Sequence, residues 1–113
     1  MHLLPEELVP ILRVEDGPTA AKWYARLGFV VEGEHRFGAG LPLCLFPRRG
    51  ANALHLSEHE GDARPNTLVY LYVDDVDTIA GEFSAPIEPQ PLAREVALVE
   101  PDGNPWRIGP RQR

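Results

Sequence analysis

The chain has 113 residues and a mass of 12.6 kDa, which is enough for one domain. Seventeen acidic residues against eleven basic ones give a net charge of −6, which argues against nucleic acid or an anionic membrane as the main partner. The single cysteine, Cys44, excludes an internal disulfide. No apolar run approaches the roughly 18–20 residues of a membrane-spanning helix, and the N-terminus has no signal-peptide pattern, so we expect a cytoplasmic protein.

The first half of the chain predicts a strand, a helix and three further strands. Pro10 cannot donate a hydrogen bond to a sheet, so it predicts a strand start, a sheet edge or a hinge. Pro18 suits the first turn of a helix, and Gly28 suits the left-handed residue that follows its end. The predicted elements lie at about 8–14, 18–27, 29–34, 41–47 and 52–57.

The same pattern begins again after a polar segment, 58–66, which predicts a linker. At an offset of 59 positions, four identities support an internal duplication of a β-α-β-β-β unit. They are Val14 with Val73, Asp16 with Asp75, Thr19 with Thr78, and Ala21 with Ala80. The second set of elements is predicted at 67–73, 76–84, 94–99 and 105–109. We therefore expect a single domain, 1–113, containing modules at about 8–57 and 67–109.

Side chains alternate between the two faces of a strand, so the predicted strands have an apolar face and a mixed face. The apolar set is Leu12, Val14, Leu54, Leu56, Val69, Leu71, Val73, Trp106 and Ile108. The mixed set is Val9, Ile11, Arg13, Ala53, His55, Ser57, Leu68, Tyr70, Tyr72, Arg107 and Gly109. We expect the apolar face to lie under the helices. The mixed face predicts either a ligand-binding surface or a solvated sheet face.

Two possible catalytic motifs are rejected on chemical grounds. The segment HLSEH (55–59) matches an inverted zinc-protease pattern, but that chemistry needs a helix and this segment alternates like a strand. Four residues of extended chain span about 13 Å, too far for both imidazoles to bind one zinc ion. Cys44 has no basic neighbour in the sequence, so we expect an unreactive, buried thiol.

Four segments together resemble one known family: LVPILRV, WYARLGF, PNTLVYLYVDDVD and REVALVEPDGNPWRIG. In order and spacing they are similar to the glyoxalase/bleomycin-resistance (vicinal oxygen chelate) superfamily, and most of all to its bleomycin-resistance proteins. The resemblance covers about 8–109. It implies an α+β fold in which paired βαβββ modules form a cupped mixed sheet, in a homodimer. It also implies an N-terminal arm, 1–9, which is exchanged between subunits about a hinge at Pro10.

Enzymes of this superfamily bind a metal ion through four positions on the inner face of the cup. Carried over by resemblance, these positions are Val9, His55, Leu68 and Arg107. Only His55 has a side chain that binds metals, whereas most divalent sites use three or more protein donors. We therefore expect no metal and no other cofactor, and the metal-dependent enzymes of the superfamily are disfavoured.

The resemblance implies a non-enzymatic protein that binds and sequesters an antibiotic of the bleomycin type in crevices at a homodimer interface. The residues that it assigns to the ligand, together with those of the mixed face, are Glu32, Phe37, His55, Tyr70, Tyr72 and Arg107. The acidic charge favours a cationic aromatic guest. Leu92 stands where the family carries its second stacking tryptophan, which leaves open a smaller or differently shaped ligand.

Two alternatives stay open at this point. One is a metal-independent enzyme of the same superfamily, with His55 as general base and Tyr70 or Tyr72 as proton donor. The other is a structural or partner-binding relative whose cup is filled by its own side chains.

Overall fold

The computed structural model describes residues 4–89 and 94–111. The first half of the chain contains β1 (Ile11–Arg13), α1 (Gly17–Arg26), β2 (Val30–Arg36), β3 (Leu43–Arg49), β4 (Asn52–Ala53) and β5 (His55–Ser57). The second half contains β6 (Val69–Val73), α2 (Val76–Phe83), β7 (Glu88–Pro89), β8 (Arg94–Val99) and β9 (Pro105–Pro110). Each predicted helix and strand is present, although the strand predicted at 52–57 is interrupted at Leu54. Neither helix is long and apolar enough to cross a membrane.

The elements form two mixed sheets, one from each half, and the fold class is α+β as predicted. The strand order is β1-β5-β3-β2 in the first sheet, where β4 also pairs with β3, and β6-β9-β8-β7 in the second. Two strand pairs are parallel, β1 with β5 and β6 with β9. Ile11 lies opposite His55 in the first pair, and Tyr70 lies opposite Arg107 in the second. Ile11 and Tyr70 are 59 positions apart, so His55 and Arg107 occupy equivalent places in the two sheets.

Local signals mark the helix ends, although the Asp16 side chain at the start of α1 makes no capping hydrogen bond to the backbone. The Asp75 carboxylate accepts a hydrogen bond of 3.1 Å from the Thr78 amide and so caps α2. Pro18 lies in the first turn of α1, and Gly28, with φ of 88°, follows the end of that helix in the left-handed region. These signals are local, which is why the sequence predicts them well.

The apolar strand face lies under the helices, as the alternation predicts. Eight of its nine predicted residues are buried, and Val69 is partly buried. Trp106, which is 1% exposed, joins the two halves because its ring centre lies 5.6 Å from that of Tyr24 and 5.9 Å from that of Phe29. Burial of three such rings makes a large contribution to the stability of the contact between the halves.

A buried polar network lies beside these rings. The Trp106 indole donates to the Tyr24 hydroxyl over 3.2 Å, and that hydroxyl donates to Glu100 over 3.4 Å. Glu100 also accepts from the Asn104 backbone and side-chain amides, at 3.0 Å each. The Asn104 side chain donates to the Arg13 carbonyl oxygen over 3.0 Å, so the network ties the loop before β9 to β1. Burial raises the pKa of Glu100.

The molecule is flat and open for its length. Its radius of gyration is 15.2 Å and its principal extents are 46 × 42 × 21 Å. A compact globule of this length would have a radius of gyration of about 13 Å. Helices cover one face of each sheet, and the opposite faces carry many of the exposed side chains.

We expect Asn104→Ala to lower the free energy of unfolding by about 2–4 kcal/mol. The substitution leaves the buried Arg13 carbonyl and the Thr67 amide, which donates to the Asn104 side chain over 2.9 Å, without their partner. Urea unfolding measures the loss. Asn52→Ala is the control, because Asn52 is exposed and should change stability by less than about 0.5 kcal/mol. Equal losses in the two variants would contradict the role given to the network.

Candidate functional site

The face of each sheet that carries no helix is called its open face here. Cross-strand partners share a face, so the registers define which residues lie together. In the first sheet, one row contains Arg13, Ser57, Cys44 and His35. The neighbouring row contains Ile11, His55 and Phe46. Four members of the mixed set predicted from the sequence, Ile11, Arg13, His55 and Ser57, therefore share one face of this sheet, where Ser57 is buried.

Two tyrosines form an aromatic pair on the open face of the second sheet. The ring centres of Tyr70 and Tyr72 are 4.7 Å apart, with 45° between the ring planes. Tyr70 is 37% exposed and Tyr72 is 51% exposed, so a ligand can reach both rings. The Arg111 guanidinium lies 5.2 Å from the centre of the Tyr72 ring, a geometry in which the ring attracts a cation.

The position of Tyr70 depends on Glu95 and Gly109. The Tyr70 hydroxyl donates a 2.7 Å hydrogen bond to Glu95 across the sheet. The Tyr70 side chain reaches Glu95 by passing over Gly109. A Cβ atom at Gly109 would lie 2.6 Å from the Tyr70 hydroxyl oxygen. Partial burial, followed by the hydrogen bond and the negative charge of Glu95, raises the pKa of Tyr70 to about 12. Tyr70 is therefore a neutral, fixed ring at physiological pH.

A cavity of about 300 Å³ is lined by Glu88, Glu95, Ala97 and Arg107. Neither tyrosine lines it, but Tyr70 is hydrogen-bonded to Glu95 and lies opposite Arg107 in the sheet. Among the residues that the structure describes, Arg107 forms no ion pair. The second sheet thus presents aromatic rings, two carboxylates and a guanidinium on one surface. Such a set can stack on a planar ring, attract a cation and pair with an anionic oxygen.

His55 lies on the open face of the other sheet. It is half-buried, and its ring centre lies 4.8 Å from that of Phe46. Of the four positions implied by the resemblance, Val9, Leu68 and Arg107 offer no metal donor. The residues present therefore do not fit a divalent ion, and residues 4–89 and 94–111 contain no group of three His, Cys, Asp or Glu side chains that could hold one.

Of the remaining predicted site residues, Pro10 lines a cavity of about 170 Å³ together with Tyr70, whereas Glu32 and Phe37 lie in and beside β2. Glu32 is 3.2 Å from Arg48, which also binds Glu7 at 2.8 Å. Phe37 is 86% exposed in the turn between β2 and β3. Pro10 precedes β1, and its carbonyl oxygen accepts from the His55 amide over 3.0 Å. Leu92 lies outside the described residues.

The sequence did not predict that Glu88, Glu95, Ala97 and Phe46 lie at the open faces. A signal for two of them was available, because Glu95 and Ala97 have the outward parity of the predicted strand at 94–99. Phe46 has the same parity as Cys44 in β3. Glu88 lies in a two-residue strand, which is too short to show alternation.

Comparison with known proteins finds one matching family model and several solved structures of similar fold. A family model described as "Glyoxalase superfamily protein" matches residues 2–108. No match was found among curated proteins. Three similar solved structures, all below 25% identity, support the fold. A bleomycin resistance determinant encoded on the transposon Tn5 is 23% identical with a TM-score of 0.70, covering 96% of this chain and 100% of that one.

The matches to the two other structures also extend over the whole length of the matched protein. A bleomycin-binding protein in complex with bleomycin is 21% identical with a TM-score of 0.66, covering 96% of this chain and 100% of that one. TnmS3, an antibiotic binding protein from Streptomyces sp. CB03234, is 20% identical with a TM-score of 0.75, covering 98% of this chain and 100% of that one.

We expect Gly109→Ala to lower the pKa of Tyr70 from about 12 towards the ordinary value of 10.0, because the new methyl group displaces the hydroxyl from Glu95. Absorbance of tyrosinate after rapid pH jumps measures the change before the protein unfolds. Gly81→Ala is the matched control, since a Cβ there meets no atom within 4 Å. An unchanged Tyr70 pKa in Gly109→Ala would show that Gly109 does not position the ring.

Proposed function

Since the chain belongs to the glyoxalase superfamily, we propose that it binds and sequesters a small organic molecule without catalysis. The proposed guest is an antibiotic of the bleomycin type, held in crevices between two copies of the chain. The observation that carries the proposal is the exposed Tyr70–Tyr72 pair beside a cavity of about 300 Å³. The proposed ligand contacts remain Glu32, Phe37, His55, Tyr70, Tyr72 and Arg107, to which Glu88 and Glu95 are added.

The chemistry of the second sheet suits a planar, positively charged guest. Stacking on an aromatic ring and attraction of a cation to its face contribute about 0.5–2 kcal/mol per contact. Glu88 and Glu95 add negative charge at the cavity, and the whole chain carries −6. Two of the similar structures are bleomycin-binding and antibiotic-binding proteins, which supports small-molecule binding for this fold.

A second copy of the chain is proposed because the open faces expose apolar surface that one copy does not cover. The exposed apolar side chains on these faces and on the preceding arm include Leu4, Leu8, Ile11, Val30, Leu68 and Val99. Leu4 and Leu8 are 94% and 95% exposed, so the described part of the arm has little packing within its own chain. We propose that the arm, 1–9, crosses to the second copy about Pro10. Contiguous exposed apolar surface commonly marks a protein interface.

The alternative of a metal-independent enzyme has less support. In that alternative, His55 is the general base and Tyr70 or Tyr72 is the proton donor. The Tyr70 proton is already donated to Glu95, so it is not available to polarise a substrate carbonyl. Only Tyr72 retains a hydroxyl with no partner among the described hydrogen bonds, and it lies on a different sheet from His55. The alternative of a cup filled by its own side chains is opposed by the cavity beside Arg107.

We expect the chain to sediment as a dimer, with twice the 12.6 kDa mass of one copy. Leu68→Lys places a charge on the exposed apolar surface and should weaken the dimer by about tenfold or more. Ala25→Lys, on the exposed side of α1, is the control and should leave association unchanged. Sedimentation velocity at micromolar concentrations measures both. If the wild type sediments as a monomer at these concentrations, the proposed interface is contradicted.

Titration calorimetry with bleomycin-type glycopeptides, with and without copper, tests the proposed guest. We expect micromolar binding that Tyr72→Ala weakens by about tenfold, because the stacking surface is lost. Tyr72→Phe keeps the ring and should bind like the wild type. If no such glycopeptide binds, the proposal of a bleomycin-type guest fails. Only the broader proposal of a small-molecule-binding protein then remains. If Tyr72→Phe binds as weakly as Tyr72→Ala, stacking is not the source of affinity.

A further inference from the structure

A second, smaller cavity lies at the turn end of the first sheet. Its volume is about 150 Å³, and it shares no residue with the cavity beside Arg107. One part of its lining is apolar and consists of Phe37, Pro42 and Leu43. The rest of the lining is more polar and consists of His35, Cys44, Ser57, His59 and Asp62. The cavity therefore offers space for a small amphipathic group rather than for a large glycopeptide.

The polar part is centred on the Asp62 carboxylate. The Ser57 hydroxyl donates to one carboxylate oxygen of Asp62 over 2.7 Å. The other oxygen lies 3.4 Å from His59 Nδ1. The Gly61 amide donates to the same nitrogen over 3.1 Å, which requires the neutral ring, whereas pairing with Asp62 requires the protonated ring. Within the described residues, Asp62 has no Arg or Lys partner, and its side chain is 47% exposed.

The surrounding chain holds this carboxylate in place. The His59 amide donates to the Ser57 hydroxyl over 3.1 Å, and the Asp62 amide donates to the His59 carbonyl oxygen over 3.2 Å. Glu58 fastens the same segment to the sheet by accepting from the Leu43 amide over 3.0 Å. A carboxylate that is already ordered loses little conformational entropy when a ligand binds to it.

We propose that this cavity is a separate binding site for a compact planar organic cation, such as an amidinium or guanidinium group attached to a small ring. The cation donates charged hydrogen bonds to Asp62, since a carboxylate accepts such planar donors well. The ring lies against Leu43 and Phe37, and the exposed face of Phe37 also attracts positive charge. The cavity shares Phe37 with the ligand contacts proposed above and to that extent rests on the proposed function, but it uses neither Tyr70 nor Tyr72.

Cys44 provides a direct reporter of occupancy. The sequence predicted a buried thiol, but Cys44 is only partly buried because its side chain borders this cavity. It lines the same cavity and is the only cysteine in the chain. Burial and then the charge of Asp62 raise the pKa of its thiol, which is consistent with the carboxylate lying close to the sulfur. A molecule bound at Asp62 therefore blocks access to Cys44, and the rate of alkylation by iodoacetamide measures how much is bound.

The experiment compares benzamidinium with benzamide, its neutral counterpart of nearly equal shape. We expect both to slow alkylation of the native wild-type protein, with an apparent dissociation constant about tenfold lower for benzamidinium. Asp62→Asn keeps the acceptor for Ser57 but removes the charge, and it should abolish the difference between the two probes. Each rate is divided by the rate of the same protein without probe, because Asp62→Asn also changes the thiol pKa.

Glu60→Gln is the matched control, since Glu60 lies in the same segment but does not line the cavity. It should retain the tenfold preference. Amide NMR shifts of the wild type provide a second measurement, in which benzamidinium should perturb residues 57–62. Equal protection by the two probes, absence of protection, or a preference that survives Asp62→Asn would each overturn the proposal. None of these outcomes bears on the tyrosine pair.

Discussion

Each strand of this protein can bury only one of its two faces beneath a helix, and the rest of the structure follows from that constraint. Two helices of ten and eight residues cover the apolar faces of two sheets. The opposite faces have no helix to cover them, so they can carry residues that a core would exclude, such as Arg107 and His55. The sheet thereby separates stability from binding, because substitutions on the open face leave the helix-covered core intact.

The buried ring of Trp106 links the core to the open face. Arg107 follows it in β9, and neighbouring residues of a strand point in opposite directions. Because Trp106 is fixed against Tyr24 by ring contact and by its indole hydrogen bond, the Arg107 guanidinium is directed to the other side of the sheet. Leu71 acts in the same way between Tyr70 and Tyr72. Buried neighbours therefore direct three of the proposed ligand contacts to the open face, where the hydrogen bond to Glu95 then fixes Tyr70.

The sequence predicts those features that depend on neighbours along the chain. Alternation is sufficient to place Tyr70 and Arg107 on one face and Trp106 in the core, and helix-end chemistry is sufficient to place Gly28 and Asp75. The bond between Tyr70 and Glu95 is different, because it depends on the order of three strands and on the missing side chain of Gly109 between them. The Asp62 cavity depends on how a segment without periodicity folds back on β5. No local pattern encodes either arrangement.

At the position where the family resemblance implies a metal ligand, this chain carries Arg107, and the two kinds of side chain differ in what they can recognise. A metal ligand would be a neutral or negative donor that gathers a cation, whereas a guanidinium is itself a positive charge with several donors. It repels a divalent ion and attracts the oxygen anions that such an ion would attract. With His55 as the only donor among the four positions, the fold retains its inner surface but not the means to chelate. The guest proposed above can therefore offer an anionic oxygen to Arg107 in addition to the positive charge that suits Glu88 and Glu95 and the planar ring that suits Tyr70 and Tyr72.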